Sequence, residues 1–390
     1  MPTLAVALLV ALGVMLGRHL AFRDLHRSIS QRHLGDTLAR VLEAEYADQP
    51  QPMAEVRAEF ARAYLDPERA AIEMGEYSWD VPTVPAPFVG SAPAPGRHGN
   101  ATINSQHFRR AGEVAMPKPS GVVRIFVTGG SAAYGSGAPS GDRTIPGFLA
   151  AALERELRPR TGRHYEVINA ASPAWSTTQE RILIENRLSE LAPDLVVSLS
   201  GSNDVYWGSQ GRNVLWFRTL ADEHYFSLLD LIHRRTGFPP LPNAIASGGE
   251  SGGPPIPVPP RIVTQRLVKN LRLAASALAQ RGVPYVFALQ PTLATTGKSL
   301  SAHERLQKDL GEGFSRGSTD YFARAYRAID TRLSKLRMRN FHYLDLADVF
   351  DADEADQEIF LDRFHFGDRG NQRIAGRLHR ELLPILSASE

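Results

Sequence analysis

Strand-like and helix-like segments alternate along the chain from residue 122 onward, and this alternation restricts the fold more than any other feature. The strand-like runs are rich in β-branched and aromatic residues, and apolar residues recur at helical spacing between them. These runs read VVRIFV, YEVINA, DLVVSLS, PYVFALQ and FHYLDL. Such alternation is typical of a parallel sheet with helices on both faces. The sequence therefore predicts an α/β fold, a three-layer α/β/α structure around a mostly parallel, doubly wound sheet.

A different pattern precedes this region. Residues 1–20 contain an unbroken apolar run, LAVALLVALGVML, over residues 4–16. Because this run is shorter than the roughly 20 residues that span a bilayer, a buried helix in a soluble protein and a membrane anchor both fit it, and we expect the anchor. Residues 21–120 combine a helical segment with a Pro/Gly-rich strap at 80–100. Residues 121–390 form the predicted α/β domain, with a Gly/Pro-rich loop near 247–260.

Composition and missing motifs exclude several classes of function. The 44 basic and 42 acidic residues leave a net charge of +2, so the chain lacks the basic excess typical of nucleic-acid binding. It has no cysteine, which excludes disulfides, thiolate nucleophiles and cysteine zinc sites. Ser136 stands where a phosphate-binding loop needs its lysine, and no H-E-x-x-H motif occurs. We therefore expect no nucleic-acid partner, no cofactor and no metal.

Chemically versatile residues follow four of the strand-like runs. Ser131 lies in the turn TGGSAAYGSG after the first run, and Ala171 follows the second. Asn203 belongs to the segment SGSND after the third, and Asp362 and His365 belong to FLDRFHFGDRG after the last. In open α/β sheets, ligands bind at the carboxyl ends of the strands. The predicted topology therefore brings these residues toward one edge of the sheet.

Together these residues match the needs of acyl transfer by a serine. The hydroxyl of Ser131 needs a base, for which His365 is the candidate, and that histidine needs an orienting acceptor, for which Asp362 is the candidate. A tetrahedral oxyanion needs donors. The backbone N–H groups of Ser131 and Ala171 and the side-chain amide of Asn203 are candidates for this oxyanion hole. Taken singly, each feature also fits a plain turn, a helix cap or a surface ion pair.

The ordered blocks GGSAAYG, NAASPAWST, GSND and DRFH resemble those of the SGNH hydrolases, also called GDSL lipases and esterases. The resemblance covers residues 122–386. It implies an SGNH fold of flavodoxin-like type and makes residues 121–390 the catalytic domain. It also implies Ser131 as nucleophile, His365 as base and Asp362 as its orienting partner, with Asn203 in the oxyanion hole.

Two residues depart from the family pattern. Gly130 occupies the position of the family's aspartate, and Ala171 aligns with its second-block glycine. A G-G-S block, with a preceding strap similar to INSQHFR at residues 103–109, resembles a subgroup of bacterial membrane-anchored SGNH-like proteins. The segment LQPTLATTGKSLSAHE is also similar to that subgroup. Within it, Gln290 and Thr292 fit either a pocket lining or a plain strand-end turn.

These features lead to one expected function and two alternatives. We expect a serine-dependent acyl ester hydrolase that acts through an acyl-enzyme on a short-chain O-acyl group, an acetyl group, of a glycan or lipid. A polysaccharide O-acetyltransferase with the same triad is the first alternative, and a non-catalytic SGNH-like binding module is the second. The aromatic residues Trp175, Tyr206 and Trp207 fit either sugar stacking or structural packing.

The expected cellular location depends on the predicted N-terminal membrane anchor. We expect a membrane-anchored protein of the cell envelope that faces the periplasm or the cell exterior. Basic residues, including Arg18 and Arg23, come directly after the apolar run. By the positive-inside rule they place the following chain in the cytoplasm. The two expectations disagree, so the sequence leaves the membrane topology open.

Overall fold

The structure is a computed structural model that describes residues 37–47, 52–211, 256–314 and 317–387, together with the single positions 15 and 235. Apart from position 15, the apolar run at 4–16 lies outside the described residues, as does most of the loop near 247–260. None of the helices in the described ranges is long and apolar enough to cross a bilayer. The N-terminal anchor therefore stays a prediction.

Five parallel strands form the central sheet. The strands in the described ranges are β1 Thr83–Ala86, β2 Gly90–Pro93, β3 Gly96–His98, β4 Ala101–Ile103, β5 Val122–Gly129, β6 His164–Asn169, β7 Leu195–Ser200, β8 Tyr285–Leu289 and β9 Phe341–Asp345. The sheet has the order β6-β5-β7-β8-β9, and every neighbouring pair is parallel. This is the flavodoxin-like doubly wound order. The predicted fold class is confirmed.

Helices cover both faces of the sheet. The α-helices in the described ranges are α1 Leu38–Glu45, α2 Met53–Ala61, α3 Pro67–Glu73, α4 Ser131–Tyr134, α5 Ile145–Thr161, α6 Thr177–Asn186, α7 Ser202–Ser209, α8 Pro260–Ala279, α9 Ala302–Phe314, α10 Ser318–Leu333 and α11 Asp368–Ser387. Helices α5 and α11 pack on the face of Ile125 and Val127, and α6, α8 and α10 pack on the face of Phe126. Because both faces of β5 are buried, its sequence is apolar almost throughout.

The strap differs from its prediction. The Pro/Gly-rich composition of 80–100 makes it a poor candidate for helix or strand, whereas β1 pairs with β2 and β3 pairs with β4 as two short antiparallel hairpins. A two-stranded ribbon pairs only one edge of each strand, so it tolerates Pro93 within β2. Proline and glycine content therefore excluded a central strand here but not a ribbon.

The N-terminal helices pack against the loops that carry the predicted site. Leu361 belongs to the same apolar cluster as Phe60 and Tyr64 of this region. The Tyr64 hydroxyl donates to the carbonyl of Gly137 at 2.7 Å, and the backbone N–H of Leu65 donates to Asp368 Oδ1 at 2.7 Å. The described residues before the strap therefore cover the carboxyl end of the sheet.

Candidate active site

Ser131 is the first residue of the one-turn helix α4, which begins two residues after the end of the interior strand β5. The turn between them begins at Gly129, whose φ is +152°. A Cβ on Gly129 would lie 2.2 Å from the carbonyl oxygen of Leu199 on β7. Only glycine therefore allows β5 to approach β7 so closely and to turn at once. This places Ser131 at the switch point of the sheet, between the first and third strands of the doubly wound order.

Ser131, His365 and Asp362 form a continuous chain of polar contacts. His365 Nε2 lies 2.6 Å from Ser131 Oγ, and His365 Nδ1 lies 2.7 Å from Asp362 Oδ2. Both distances are within hydrogen-bond range. The His365 side chain is 12% exposed, so water reaches it only from one side. The structure thus brings together the three residues that the sequence assigns to nucleophile, base and orienting acceptor.

A tight loop fixes Asp362 relative to His365. The backbone N–H of Leu361 donates to the carbonyl of His365 at 2.9 Å, which closes the loop. Asp362 Oδ1 accepts the N–H groups of Phe364 at 2.7 Å and His365 at 2.8 Å. Burial raises the pKa of Asp362, but the charge of His365 and these hydrogen bonds outweigh it and hold the pKa below the usual value. Asp362 is therefore kept ionised beside the imidazole.

Two residues at this site come from the N-terminal region, and sequence reasoning missed both. The Trp79 ring packs on the His365 ring, with centroids 4.5 Å apart at an interplanar angle of 59°. Glu45 lies close enough to the triad loop for its charge to interact. Partial desolvation and the charge of Asp362 raise the pKa of Glu45, although its side chain is exposed to solvent. No local motif marks either residue, because neither belongs to a strand end of the α/β domain.

The three predicted oxyanion donors differ in the hydrogen bonds that they already make. Ser131 is the first residue of α4, so its N–H has no carbonyl partner within the helix. Asn203 Nδ2 donates one hydrogen to the carbonyl of Trp175 at 2.7 Å, which leaves its second hydrogen for an oxyanion. The N–H of Ala171 donates to Asn169 Oδ1 at 3.2 Å. The geometry therefore favours Ser131 and Asn203 as donors, and the role of Ala171 stays a prediction.

Comparison with known proteins decides the family. The model of the GDSL-like Lipase/Acylhydrolase family matches residues 127–373. The chain belongs to this family. The matched range begins in β5 and ends in α11, so it includes Ser131, Asn203, Asp362 and His365.

Solved structures resemble the chain at low identity, and no curated protein matches it. The acetyl xylan esterase AlAXEase is 14% identical with a TM-score of 0.38, over 67% of this chain and 100% of that one. The acetylxylan esterase Axe2 from Geobacillus stearothermophilus is 13% identical with a TM-score of 0.34, over 67% of this chain and 94% of that one. The lipase Lip_vut3 from the goat rumen metagenome is 13% identical with a TM-score of 0.38, over 66% and 96%. Similarities at this level carry no argument about the fold or the activity of this chain.

Gly130 stands where the family has an aspartate, and the structure shows a steric reason for the glycine. A Cβ built on Gly130 would lie 2.4 Å from Asn203 Nδ2 and 3.3 Å from the carbonyl oxygen of Trp175. Real Cβ atoms essentially never approach another heavy atom so closely. Asn203 therefore occupies space that any larger residue at position 130 would take. In this member of the family, the Asn203 amide can keep its position only because residue 130 is a glycine.

The INSQHFR segment at 103–109 supports the turn that carries Ser131. Arg109 is buried, and its Nη1 donates to the carbonyls of Tyr134 at 3.0 Å and Gly135 at 2.9 Å. The guanidinium also lies 4.6 Å from the centre of the Tyr134 ring. Asn169 Nδ2 donates to the same Tyr134 carbonyl at 3.0 Å. A cation at this position compensates the unpaired carbonyls at the end of α4.

The remaining predicted residues are mainly structural. Gln290 is buried and bridges two loops, because its Oε1 accepts from Ser202 Oγ at 2.9 Å and its Nε2 donates to the carbonyl of Phe364 at 3.0 Å. Thr292 is fully buried. Gln290 therefore ties the start of α7 to the loop of Asp362 and His365, and neither residue is a simple pocket lining.

The aromatic residues divide between packing and exposure. Trp175 and Trp207 are buried at 4% and 8% exposure, whereas Tyr206 is only partly buried. The Tyr206 ring contacts that of Phe364, with centroids 5.6 Å apart. Of the three, Tyr206 is therefore the one with solvent-exposed surface beside the triad loop. Within the described ranges, no cluster of three or more His, Asp or Glu side chains is arranged to hold a metal ion.

Proposed function

We propose that the protein is a serine-dependent acyl ester hydrolase that acts through an acyl-enzyme. The observation that carries this proposal is the continuous chain from Ser131 Oγ through His365 to Asp362, with contacts of 2.6 and 2.7 Å. Membership of the GDSL-like Lipase/Acylhydrolase family supports it. A non-catalytic module would be favoured if Ser131 and His365 were buried apart, and they are in contact.

In the proposed mechanism, Ser131 Oγ attacks the ester carbonyl while His365 Nε2 accepts its proton. Asp362, ionised at neutral pH, stabilises the imidazolium that forms and keeps Nε2 directed at the serine. The N–H of Ser131 and the Asn203 amide donate to the oxyanion. His365 then returns the proton to the leaving alcohol. Water attacks the acyl-enzyme by the same sequence, releasing the carboxylic acid and restoring Ser131.

For the substrate, we propose a short-chain O-acyl group, an acetyl group, on a glycan or lipid. The partly buried ring of Tyr206 supports a sugar-bearing alcohol, because Tyr206 lies three residues beyond Asn203 and contacts Phe364 of the triad loop. An aromatic face of this kind suits an amphipathic sugar ring. Initial rates on p-nitrophenyl acetate, butyrate and octanoate test the acyl part. Higher kcat/KM on octanoate than on acetate would contradict it.

Hydrolysis and transfer share the acyl-enzyme and differ only in the group that attacks it. An O-acetyltransferase would pass the acetyl group from the acyl-enzyme to a sugar hydroxyl. Product analysis with an acetyl donor, in the presence and absence of an oligosaccharide acceptor, separates the two. Free acetate released at the same rate with and without the acceptor supports the hydrolase. An acetylated acceptor as main product would replace it with the transferase.

Labelling with a fluorophosphonate and intact-mass measurement test the nucleophile directly. We expect one adduct on the wild-type chain and none on Ser131→Ala. Ser136→Ala is a matched control, because Ser136 lies on the same turn and is buried at 3% exposure. This control should label like the wild type. An unlabelled wild type, or equal labelling of Ser131→Ala, would remove the assignment.

We also propose that residues 1–20 anchor the protein in a membrane, as in the G-G-S subgroup, with the catalytic domain facing the periplasm or the cell exterior. The uninterrupted apolar run at 4–16 and the GGS block support this proposal. Carbonate extraction of membranes from cells that express the full chain tests it. Retention in the pellet is expected, and complete release into the supernatant would contradict the anchor.

A further inference from the structure

A cavity separate from the catalytic triad lies between the strap and α6. Its volume is about 330 Å³, which lies at the small end of the range for ligand pockets. The apolar wall includes Val89, Phe108, Trp175, Ile182 and Leu183. Neither Ser131 nor His365 takes part in the lining. The proposed mechanism therefore leaves this space unused.

One residue connects the cavity with the proposed oxyanion hole. Trp175 lines the cavity, and its carbonyl oxygen accepts the hydrogen bond from Asn203 Nδ2 at 2.7 Å. The same carbonyl oxygen lies 3.3 Å from the Cβ position of Gly130. The cavity is thus one residue away from the reacting groups, yet it is a space of its own.

Backbone strain is concentrated around this cavity. Phe88 and His107 line it and have φ angles of +66° and +67°, in a region that bulky residues rarely adopt. The hairpin bond from the N–H of Val89 to the carbonyl of Pro87 at 2.8 Å holds the first of them in place. Phe88 is also 79% exposed, so its large ring gains little from packing. Strain and an exposed aromatic ring at one cavity are typical of a ligand site.

The cavity has one cationic group near its apolar wall. The guanidinium of Arg187 lies 5.4 Å from the centre of the Phe108 ring and is partly buried. Burial lowers the pKa of Arg187, and the charge of Glu113 offsets this only in part. Among the residues that the structure describes, Glu113 is the acidic group whose charge acts on Arg187. An anionic ligand in the cavity would place a negative charge directly against this guanidinium.

We propose that this cavity binds a small amphipathic anion, an apolar chain that carries one carboxylate. The apolar side chains, including Phe88 at the rim, cover the chain. The planar guanidinium of Arg187 binds the carboxylate, for which its paired N–H donors are suited. This proposal does not depend on the proposed hydrolase activity.

Isothermal titration of the full-length chain tests the proposal, with octanoate as probe and octanamide and acetate as comparisons. Ser131→Ala is used as the background, so that neither turnover nor its absence affects the result. We expect one octanoate site that binds at least about tenfold tighter than octanamide, because a charge-assisted hydrogen bond is lost with the amide. Acetate lacks the apolar chain and should show no saturation in the same range.

Substitutions test whether Arg187 and Phe88 form the octanoate-binding site. Arg187→Gln should reduce octanoate affinity about tenfold or more and leave octanamide unchanged, and Arg187→Lys should retain part of the difference. Phe88→Ala should weaken both ligands without lowering Tm, since Phe88 is exposed. Arg272→Gln, at an exposed position on α8, is the matched control. Equal affinity for octanoate and octanamide, an unchanged Arg187→Gln, or no saturable octanoate binding would each overturn the proposal.

Discussion

A single methyl group at position 130 should disable the proposed oxyanion hole. Gly130→Ala places a Cβ 2.4 Å from Asn203 Nδ2, about 1 Å inside ordinary contact. Nδ2 must then move, which breaks its 2.7 Å bond to the carbonyl of Trp175 and turns the amide away from the oxyanion. Loss of one oxyanion donor costs about 10²- to 10³-fold in kcat. We expect Gly130→Ala to lower kcat by this factor with little change in KM.

A double-mutant cycle with Asn203→Ala shows whether the effect passes through the amide. In the Asn203→Ala background the clash is absent, so adding Gly130→Ala should cost less than about threefold in kcat. Gly112→Ala is the matched control, because its Cβ would meet no atom within 4 Å. The assay is the initial rate on p-nitrophenyl acetate, with thermal unfolding to check that each variant is folded.

Two results would refute this reasoning. Full activity of Gly130→Ala would mean that Asn203 is not a donor or that the loop adapts without loss. Multiplicative losses in the double variant would mean that Gly130 acts independently of Asn203.

The same geometry predicts that Gly130→Asp, which restores the family's usual residue, lowers activity rather than raising it. Its carboxylate starts from the same obstructed Cβ position.

Three further predictions concern the groups around the triad. Asp362→Asn should lower kcat by about 10³- to 10⁴-fold in a protein that still folds, because it removes the carboxylate that orients His365; a rate within tenfold of wild type would remove this role. Trp79→Leu should lower kcat up to about 10²-fold by freeing the His365 ring that it packs on, and an unchanged kcat would make Trp79 merely structural. Arg109→Gln should lower the free energy of unfolding by about 1.5–3 kcal/mol in urea titrations, because the Tyr134 carbonyl loses a charged donor. Equal stability would show that Asn169 suffices there.

Local sequence patterns predict the sheet and the triad residues. They do not predict the contacts between segments that are distant in the chain. The alternation of runs fixed a parallel sheet, and the three-residue spacing of Asp362 and His365 already implied a shared loop. Trp79 could not be predicted, because its contact with His365 depends on how the N-terminal helices lie across the sheet edge. In the sequence, Gly130 is visible only as a departure from the family pattern. Its reason is a steric contact with Asn203, which lies on a different strand end.

The last prediction concerns a buried carboxyl group close to Asp204, the residue that follows Asn203 in α7. Glu180 on α6 is 1% exposed. Burial raises its pKa to about 8; the hydroxyl of Ser200 offsets part of this rise, and the charge of Asp204 adds to it. Asp204 itself accepts the Thr177 hydroxyl at 2.6 Å and the Thr177 N–H at 3.0 Å, which ties α7 to α6. At neutral pH Glu180 is therefore mainly protonated, and its ionisation would charge the interior beside Asp204.

The sign of the pH dependence follows from this shift. The folded pKa of Glu180, about 8, is above the ordinary value of 4.5. Its stabilising contribution is thus complete below pH 4.5 and is lost as pH rises through the folded pKa. Relative to Glu180→Gln, the wild type should lose up to about 1.4 kcal/mol of unfolding free energy per pH unit between about pH 5 and pH 8. Urea titrations across this range measure the difference, in which other titrating groups cancel. Glu354→Gln, at an exposed position, should follow the wild type. A constant difference between the wild type and Glu180→Gln would show that Glu180 ionises without cost, and hence that water reaches its carboxylate.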